Sequence, residues 1–214
     1  MKELRYTLVS DGSSDRALMP VLDWLLQQQI NFPIQGEWAD LRRLRNPPNK
    51  LSERIRLSLA LYPCDLLFIH RDAEREPLTV RMEEILQAWR EIREEPQKRR
   101  PICVVPMRML EAWLLISEKA LRIAAGNPNG SIFLKMPQVK ELENLPSPKK
   151  TLYELLRQAI GLSGRRQERF LVPFRVHRLA ELIEDFSPLR TLQAFTSLEK
   201  EVENFVKEIK AATI

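Results

Sequence analysis

The chain has 214 residues, of which 44% are apolar and 29% charged, an ordinary balance for a folded globular protein and not that of a disordered one. Lys and Arg number 34 against 29 Asp and Glu, so the net charge of +5 biases the surface toward anionic partners, nucleic acid first among them. The two cysteines, Cys64 and Cys103, have no CxxC spacing and read as packed, reduced thiols, which argues against a zinc site or a disulfide scaffold. No apolar run approaches the roughly 20 residues that span a bilayer, and no signal-peptide pattern opens the chain, so a cytoplasmic location without membrane contact is expected.

Leu4 to Val9 is a short apolar, β-branched run that reads as a strand. It ends in Ser10-Asp11-Gly12-Ser13-Ser14-Asp15, where turn formers and helix caps concentrate, and Ala17, Leu18, Val21, Leu22, Leu25 and Leu26 then recur at helical spacing over Arg16 to Gln29. Phe32 to Trp38 suits a second strand. An arginine-rich loop holding Arg42, Arg43 and Arg45 leads to a helix over Leu51 to Leu61. Leu66-Leu67-Phe68-Ile69 is continuously apolar, as a strand buried on both faces requires, and it runs into His70-Arg71-Asp72-Ala73-Glu74. An amphipathic helix over Leu78 to Arg93, a basic Lys98-Arg99-Arg100, a strand over Ile102 to Val105 and a helix from Met107 to about Ala124 follow.

Strands alternating with helices imply βαβ units and a mostly parallel sheet flanked by helices. After Gly126 a proline-bearing connection runs to Pro148, and the periodicity beyond it is helical only, closing with a helix from about Pro188 to Lys210. The expected organisation is an α/β domain over 1–126 and, over 127–214, the connection and a helical C-terminal extension packed on it.

Ligands of an open α/β sheet bind beyond the carboxyl ends of its strands. Asp11 and Asp15 follow the first strand, and Asp72 and Glu74 follow a later one. Crowded carboxylates repel one another unless a cation neutralises them, and hard oxygen donors with room for water suit Mg²⁺ or Mn²⁺. Each cluster also has a purely structural reading. Asp11 or Ser13 can cap a helix start that Asp15 favours through the helix dipole, and Glu74 can pair locally with Arg71 or Arg75.

Asp11-Gly12-Ser13-Ser14-Asp15 resembles the Glu-Gly-x-x-Asp signature of TOPRIM domains, and Asp72-Ala73-Glu74 resembles their Asp-x-Asp signature. Met109-Leu110-Glu111-Ala112-Trp113-Leu114-Leu115, followed by Pro148-Lys149-Lys150-Thr151-Leu152, is similar to the TOPRIM-like domain-of-unknown-function 4276 family, related to the nucleases of the overcoming-lysogenization-defect family. The resemblance spans Leu8 to about Val202. It implies a TOPRIM-like fold and divalent-metal-dependent cleavage of nucleic-acid phosphodiesters, carried out with a separate ATPase in a prokaryotic defence-type system. On this chain it makes Asp11 the general acid/base or a metal-associated carboxylate, Asp72 and Glu74 metal ligands, Asp15 a support of the first turn at the metal site, and Glu111 a further metal carboxylate or a structural one.

Two positions depart from the signatures: Asp11 stands where the family has glutamate, and Glu74 where it has aspartate. An alternative register places His70 and Asp72 on Asp-x-Asp, which favours Mn²⁺. Arg42, Arg43 and Arg45, and separately Arg165 and Arg166, are candidate nucleic-acid contacts. Aromatic residues are only 7% and unclustered, and neither a GxxxxGK[ST] nor a GxGxxG loop is present, so an ATP-driven step needs another chain. Two further readings stay open: a non-catalytic interaction module with a degenerate metal site, and a small-molecule phosphate-ester hydrolase.

Overall fold

The computed structural model describes residues 3–92, 101–162 and 171–211. Four strands, β1 (Leu4–Val9), β2 (Ile34–Trp38), β3 (Leu66–His70) and β4 (Ile102–Val104), form one sheet in the order β2-β1-β3-β4, and every pairing is parallel. The mostly parallel α/β architecture expected from the alternation of strands and helices is what the structure has.

Period-two alternation decides which face each strand residue serves. Leu4, Tyr6, Leu8, Leu66, Phe68, Ile102 and Val104 point to one side, where they join α1 (Met19–Gln27) and four later helices in one core. Those helices are α4 (Glu118–Ala125), α5 (Pro148–Ala159), α6 (Val172–Leu182) and α7 (Gln193–Ala211). Val9, Leu67, Ile69 and Cys103 point to the other side, against α2 (Leu51–Leu61) and α3 (Leu78–Arg90). β3 is buried along its whole length because helices cover both of its faces. The helical C-terminal region thus shares its core with one face of the sheet.

Three expected helices are shorter than their apolar periodicity predicts. Arg16 to Gln29 divides into a 3₁₀ turn, Ser13–Leu18, and α1, because Pro20 has no N–H and its ring would strike a carbonyl one turn back, which confines it to the first turn of a helix. Pro188 sits likewise in a 3₁₀ turn, Ser187–Thr191, before α7 begins. Met107 to Ala124 becomes a 3₁₀ turn, Leu110–Leu114, followed by α4, which starts where Ser117 Oγ accepts the Ala120 N–H and stops at Gly126 in the left-handed conformation. Every residue of Leu110–Leu115 is buried, so this segment has no polar face for a surface helix to present.

Among the described residues no helix is long and apolar enough to cross a membrane. Neither cysteine forms a disulfide, and burial raises the Cys64 thiol above its ordinary pKa, as a packed, unreactive thiol requires. Arg165 and Arg166, the basic Lys98-Arg99-Arg100 and the expected helix end at Arg93 lie outside the described residues.

Candidate functional site

The strand order reverses direction between β1 and β3, so the crevice beyond their carboxyl ends is the topological switch point of the sheet. An open pocket of about 290 Å³ lies there, lined by Asp11, Asp15, His70, Asp72, Glu74 and Arg81 among others. Four of the five acids marked in the sequence therefore border one cavity.

Its floor is set by hydrogen bonds between two loops. The Arg71 N–H donates to Val104 O (3.2 Å), Ala73 N–H to Pro106 O (3.0 Å) and Glu74 N–H to Arg108 O (2.9 Å), which ties the segment after β3 to the segment after β4. Asp72 completes the series by accepting the Leu110 N–H on Oδ1 at 2.9 Å. Glu74 and Arg108, joined by one of these bonds, both have left-handed backbone, with φ of 55° and 64°. Non-glycine residues hold that conformation at a cost on the order of 1 kcal/mol each, offset here by the interloop bonds.

His70 closes β3 with its side chain 2% exposed. Its Nδ1 lies 2.9 Å from Val104 O; a carbonyl only accepts, so Nδ1 donates there, and Nε2 is the nitrogen that faces Asp72 and Asp15. Nε2 stands 3.5 Å from Asp72 Oδ1 and 4.0 Å from Asp15 Oδ2. Asp15 is buried and satisfied locally, accepting the Gly12 N–H (2.7 Å) and the Ser14 hydroxyl (3.1 Å). It therefore holds the first turn and turns one edge to His70 as well.

Burial lifts the Asp72 carboxyl to about 6, with His70 opposing the rise and the negative charges of Glu111 and Asp15 adding to it. Glu111, almost fully buried in the turn after β4, is raised for the same first reason, and Lys149 of α5, whose Nζ is 3.7 Å from Oε1, offsets part of that cost. Asp15 and Asp72 thus meet at His70, and Glu111, outside the lining of this pocket, acts on Asp72 and feels Asp15 through charge.

Asp11 and Glu74 stand apart from these three acids. Asp11 is half exposed and held by two guanidiniums: Arg54 of α2 donates to its Oδ1 and to Ser10 O, and Arg71 Nε lies 3.4 Å from its Oδ2. Glu74 is 68% exposed and meets Arg81 at 3.4 Å; Arg81 also pairs with Glu84, which pairs with Arg71. The pocket is therefore lined by both acids and the cations Arg71 and Arg81, with Arg54 reaching Asp11 from the neighbouring side. His70 and Asp72, the pair of the alternative register, are the two residues of the second signature that are grouped with Asp15.

No family model matches the chain, and no curated protein or solved structure matches it.

The sequence marks Arg71 as a local partner for Glu74 and Lys149 as part of the Pro-Lys-Lys motif, but not their pairing with Asp11 and Glu111. What singles out Arg54, Arg71 and Lys149 is a short ion-pair distance to an acid far along the chain. His177 of α6, to which the sequence assigns no role, also comes within electrostatic range of Asp15 and Arg16, and burial together with Arg16 lowers its pKa. Arg42, Arg43 and Arg45 stay on the surface beyond β2. Arg42 and Arg43 both pair with Asp40, at 3.3 and 2.8 Å.

Among the described residues no three His, Cys, Asp or Glu side chains group so as to hold a metal ion. A closed protein cage is therefore not what this site offers. Mg²⁺ commonly keeps several waters and takes only one or two carboxylates together with substrate phosphates. The hard oxygens of Asp72 and Asp15, which border the pocket together, fit that hydrated mode of binding, in which one or two carboxylates suffice.

Proposed function

We propose that the switch-point pocket carries out divalent-metal-dependent hydrolysis of nucleic-acid phosphodiesters. The observation that carries this reading is the meeting of Asp15 and Asp72 at His70 in a pocket that Arg71 and Arg81 also line. A cation relieves the repulsion between these acids, and the arginines suit the phosphate that comes with it. A bound Mg²⁺ or Mn²⁺ polarises a phosphoryl oxygen and lowers the pKa of a bound water.

Asp72 is the principal ligand in this reading, with Asp15 beside it. The Leu110 N–H fixes the orientation of Asp72, and Lys149 limits the charge on the Glu111 side. Arg54 and Arg71 hold Asp11 at the rim of the pocket, and Arg71 in its lining supplies positive charge for a phosphate. His70 Nε2, buried from bulk water, lies 3.5 Å from Asp72 Oδ1 and so fixes where that carboxyl stands. The separate ATPase that the family resemblance implies belongs to this reading as the component that supplies regulated access to substrate.

Titration calorimetry with Mg²⁺ and Mn²⁺ tests it, on the wild type and on Asp72→Asn, beside cleavage assays on labelled single- and double-stranded DNA and RNA. Expected are metal binding and strand cleavage that are both lost in Asp72→Asn. Metal-independent binding of nucleic acid without cleavage, in the presence of either cation, would replace the reading with that of a binding module. Turnover of small phosphate esters with nucleic acid untouched would replace it with that of a small-molecule hydrolase.

A further inference from the structure

A second pocket, of about 230 Å³, opens beyond the carboxyl ends of β1 and β2 and shares Asp11 and Gly12 with the switch-point pocket. Its walls include Ser10, Trp38, Asp40, Arg42, Pro48 and Arg54. The two cavities are neighbours across one acid, and Arg54, which holds that acid, belongs to the wall of the second.

Arg42 is the distinctive group here. Its guanidinium carbon lies 5.3 Å from the centroid of the Trp38 ring, and its Nε is 3.3 Å from Asp40 Oδ1. Trp38 is itself fixed, its indole N–H donating to Ser10 Oγ at 2.9 Å, and the Asp40 side chain is only 12% exposed. A long side chain that ordinarily samples many rotamers is thus held by one face and one edge, while 51% of it remains open to solvent. A planar cation backed by an aromatic ring is a stacking plate, and single-stranded nucleic acids stack their bases on such guanidinium planes.

We propose that this second pocket receives the nucleotide next to the reacting phosphate of a single strand, with its base stacked on the outer face of Arg42 and its phosphate beside Arg54. The inference rests on reading the switch-point pocket as a phosphodiester site and adds the substrate class: an unpaired strand, since bases within a duplex already stack on one another. It also separates Arg42 from Arg43, which pairs with the same Asp40 but is 84% exposed, so that it contributes charge alone.

Fluorescence anisotropy tests this on the full chain, with short fluorescein-labelled oligothymidylate and oligouridylate titrated in EDTA, so that no cation is needed for the readout. The variants are Arg42→Lys and Arg43→Lys, each checked for fold by circular dichroism. Both keep the charge, so the salt dependence of binding stays that of the wild type. Arg42→Lys is expected to weaken binding about tenfold, the scale of losing one stacked base, and Arg43→Lys to leave it within about twofold. An abasic strand of the same length is expected to bind the wild type about tenfold more weakly than the normal strand, and to bind Arg42→Lys and the wild type alike. Preference between the deoxy and ribo strands identifies which nucleic acid the pocket takes. Wild-type affinity in Arg42→Lys, equal binding of abasic and normal strands, tighter binding of a duplex, or no binding of either strand each overturns the proposal. Metal-dependent cleavage that still requires Asp72 in any of those cases leaves the phosphodiester reading intact, so the two failures are distinguishable.

Discussion

The ammonium of Lys149 stands 3.7 Å from a Glu111 carboxylate whose side chain is 3% exposed, and this contact joins the turn after β4 to the first turn of α5. Lys149 also lies over the Tyr153 ring, 5.9 Å from its centroid. Two stretches that the sequence marks only as motifs are therefore one unit in space.

Removing Lys149 leaves Glu111 buried without its counter-charge. Breaking a fully buried pair costs roughly 3–5 kcal/mol, and the 42% exposure of Lys149 discounts that through solvent screening. Lys149→Met is expected to lose ~1–2 kcal/mol near neutral pH in urea unfolding. In a Glu111→Gln background the same change is expected to be nearly neutral. Equal losses in both backgrounds would assign the effect of Lys149 to its packing on Tyr153 instead.

Asp72 has a folded pKa of about 6 against an ordinary 3.8, so the folded protein binds this proton more tightly than the unfolded chain. The stability it contributes is complete below the unfolded value and is lost as pH rises through about 6. Glu111 is raised too and acts in the same direction. Between about pH 4 and pH 7 this group alone is expected to lower the unfolding free energy by ~2–3 kcal/mol. Asp72→Asn keeps an oxygen for the Leu110 N–H and cannot ionise, so its stability is expected to fall less over that range and to exceed that of the wild type at neutral pH. Urea titrations at several pH values read this directly, and an unchanged slope in the variant would place the dependence on other groups.

The same linkage gives a metal prediction. A cation bound by ionised Asp72 stabilises the folded state only where that carboxylate is ionised. Mg²⁺ or Mn²⁺ is expected to raise the melting temperature of the wild type above pH ~6, to have little effect near pH ~5, and to leave Asp72→Asn unmoved. Differential scanning fluorimetry across pH measures it. A rise that is equal in the variant would locate cation binding elsewhere on the protein.

The sheet was legible because its strands are short apolar runs bounded by turn residues, and all four strand segments fall where that pattern puts them. The site was legible only in part. Asp72 and Asp15 are found because they follow β3 and β1, but their grouping is a matter of which way each side chain turns. Asp11 and Arg71 follow strand residues Val9 and Ile69 by two positions, on the face covered by α2 and α3, and there they meet one another and Arg54. His70 lies two positions after Phe68, on the opposite face, and there it meets Asp72 and Asp15. One strand end thus feeds two different clusters, and spacing along the chain does not separate them. Glu111 is fixed by a turn too apolar for helical periodicity to describe, and its partner lies 38 residues further on.

Gly36 is required by a side chain of the neighbouring strand. It pairs with Tyr6 across β1 and β2, and a Cβ at this position would overlap the Tyr6 ring and hydroxyl and the Met19 methyl. Tyr6 cannot retreat, because its hydroxyl donates to Asp23 Oδ1 at 2.7 Å and its ring meets Phe68 edge-on at 5.4 Å. Gly36→Ala is expected to destabilise by ~1–3 kcal/mol, the usual cost of overpacking, in equilibrium unfolding. Combining it with Tyr6→Phe should recover little, since the ring remains in place.

Trp113 anchors the turn that carries Glu111. Its ring meets Phe195 of α7 edge-on, 5.5 Å between centroids, and is 1% exposed, while among the described residues its indole N–H finds no acceptor. Trp113→Phe keeps an aromatic ring against Phe195 and removes the orphaned N–H, so the lost contact area and the relieved polar burial oppose each other. A change within ~1 kcal/mol is expected for Trp113→Phe and a loss of ~3–5 kcal/mol for Trp113→Ala. The two variants also test whether packing at α7 positions the acid cluster. Trp113→Ala is expected to loosen the turn and to flatten the Asp72-dependent part of the stability profile, because Leu110 and Glu111 lie in the same turn. A large loss in Trp113→Phe would show that the indole nitrogen has a partner in solution, a bound water being the smallest candidate.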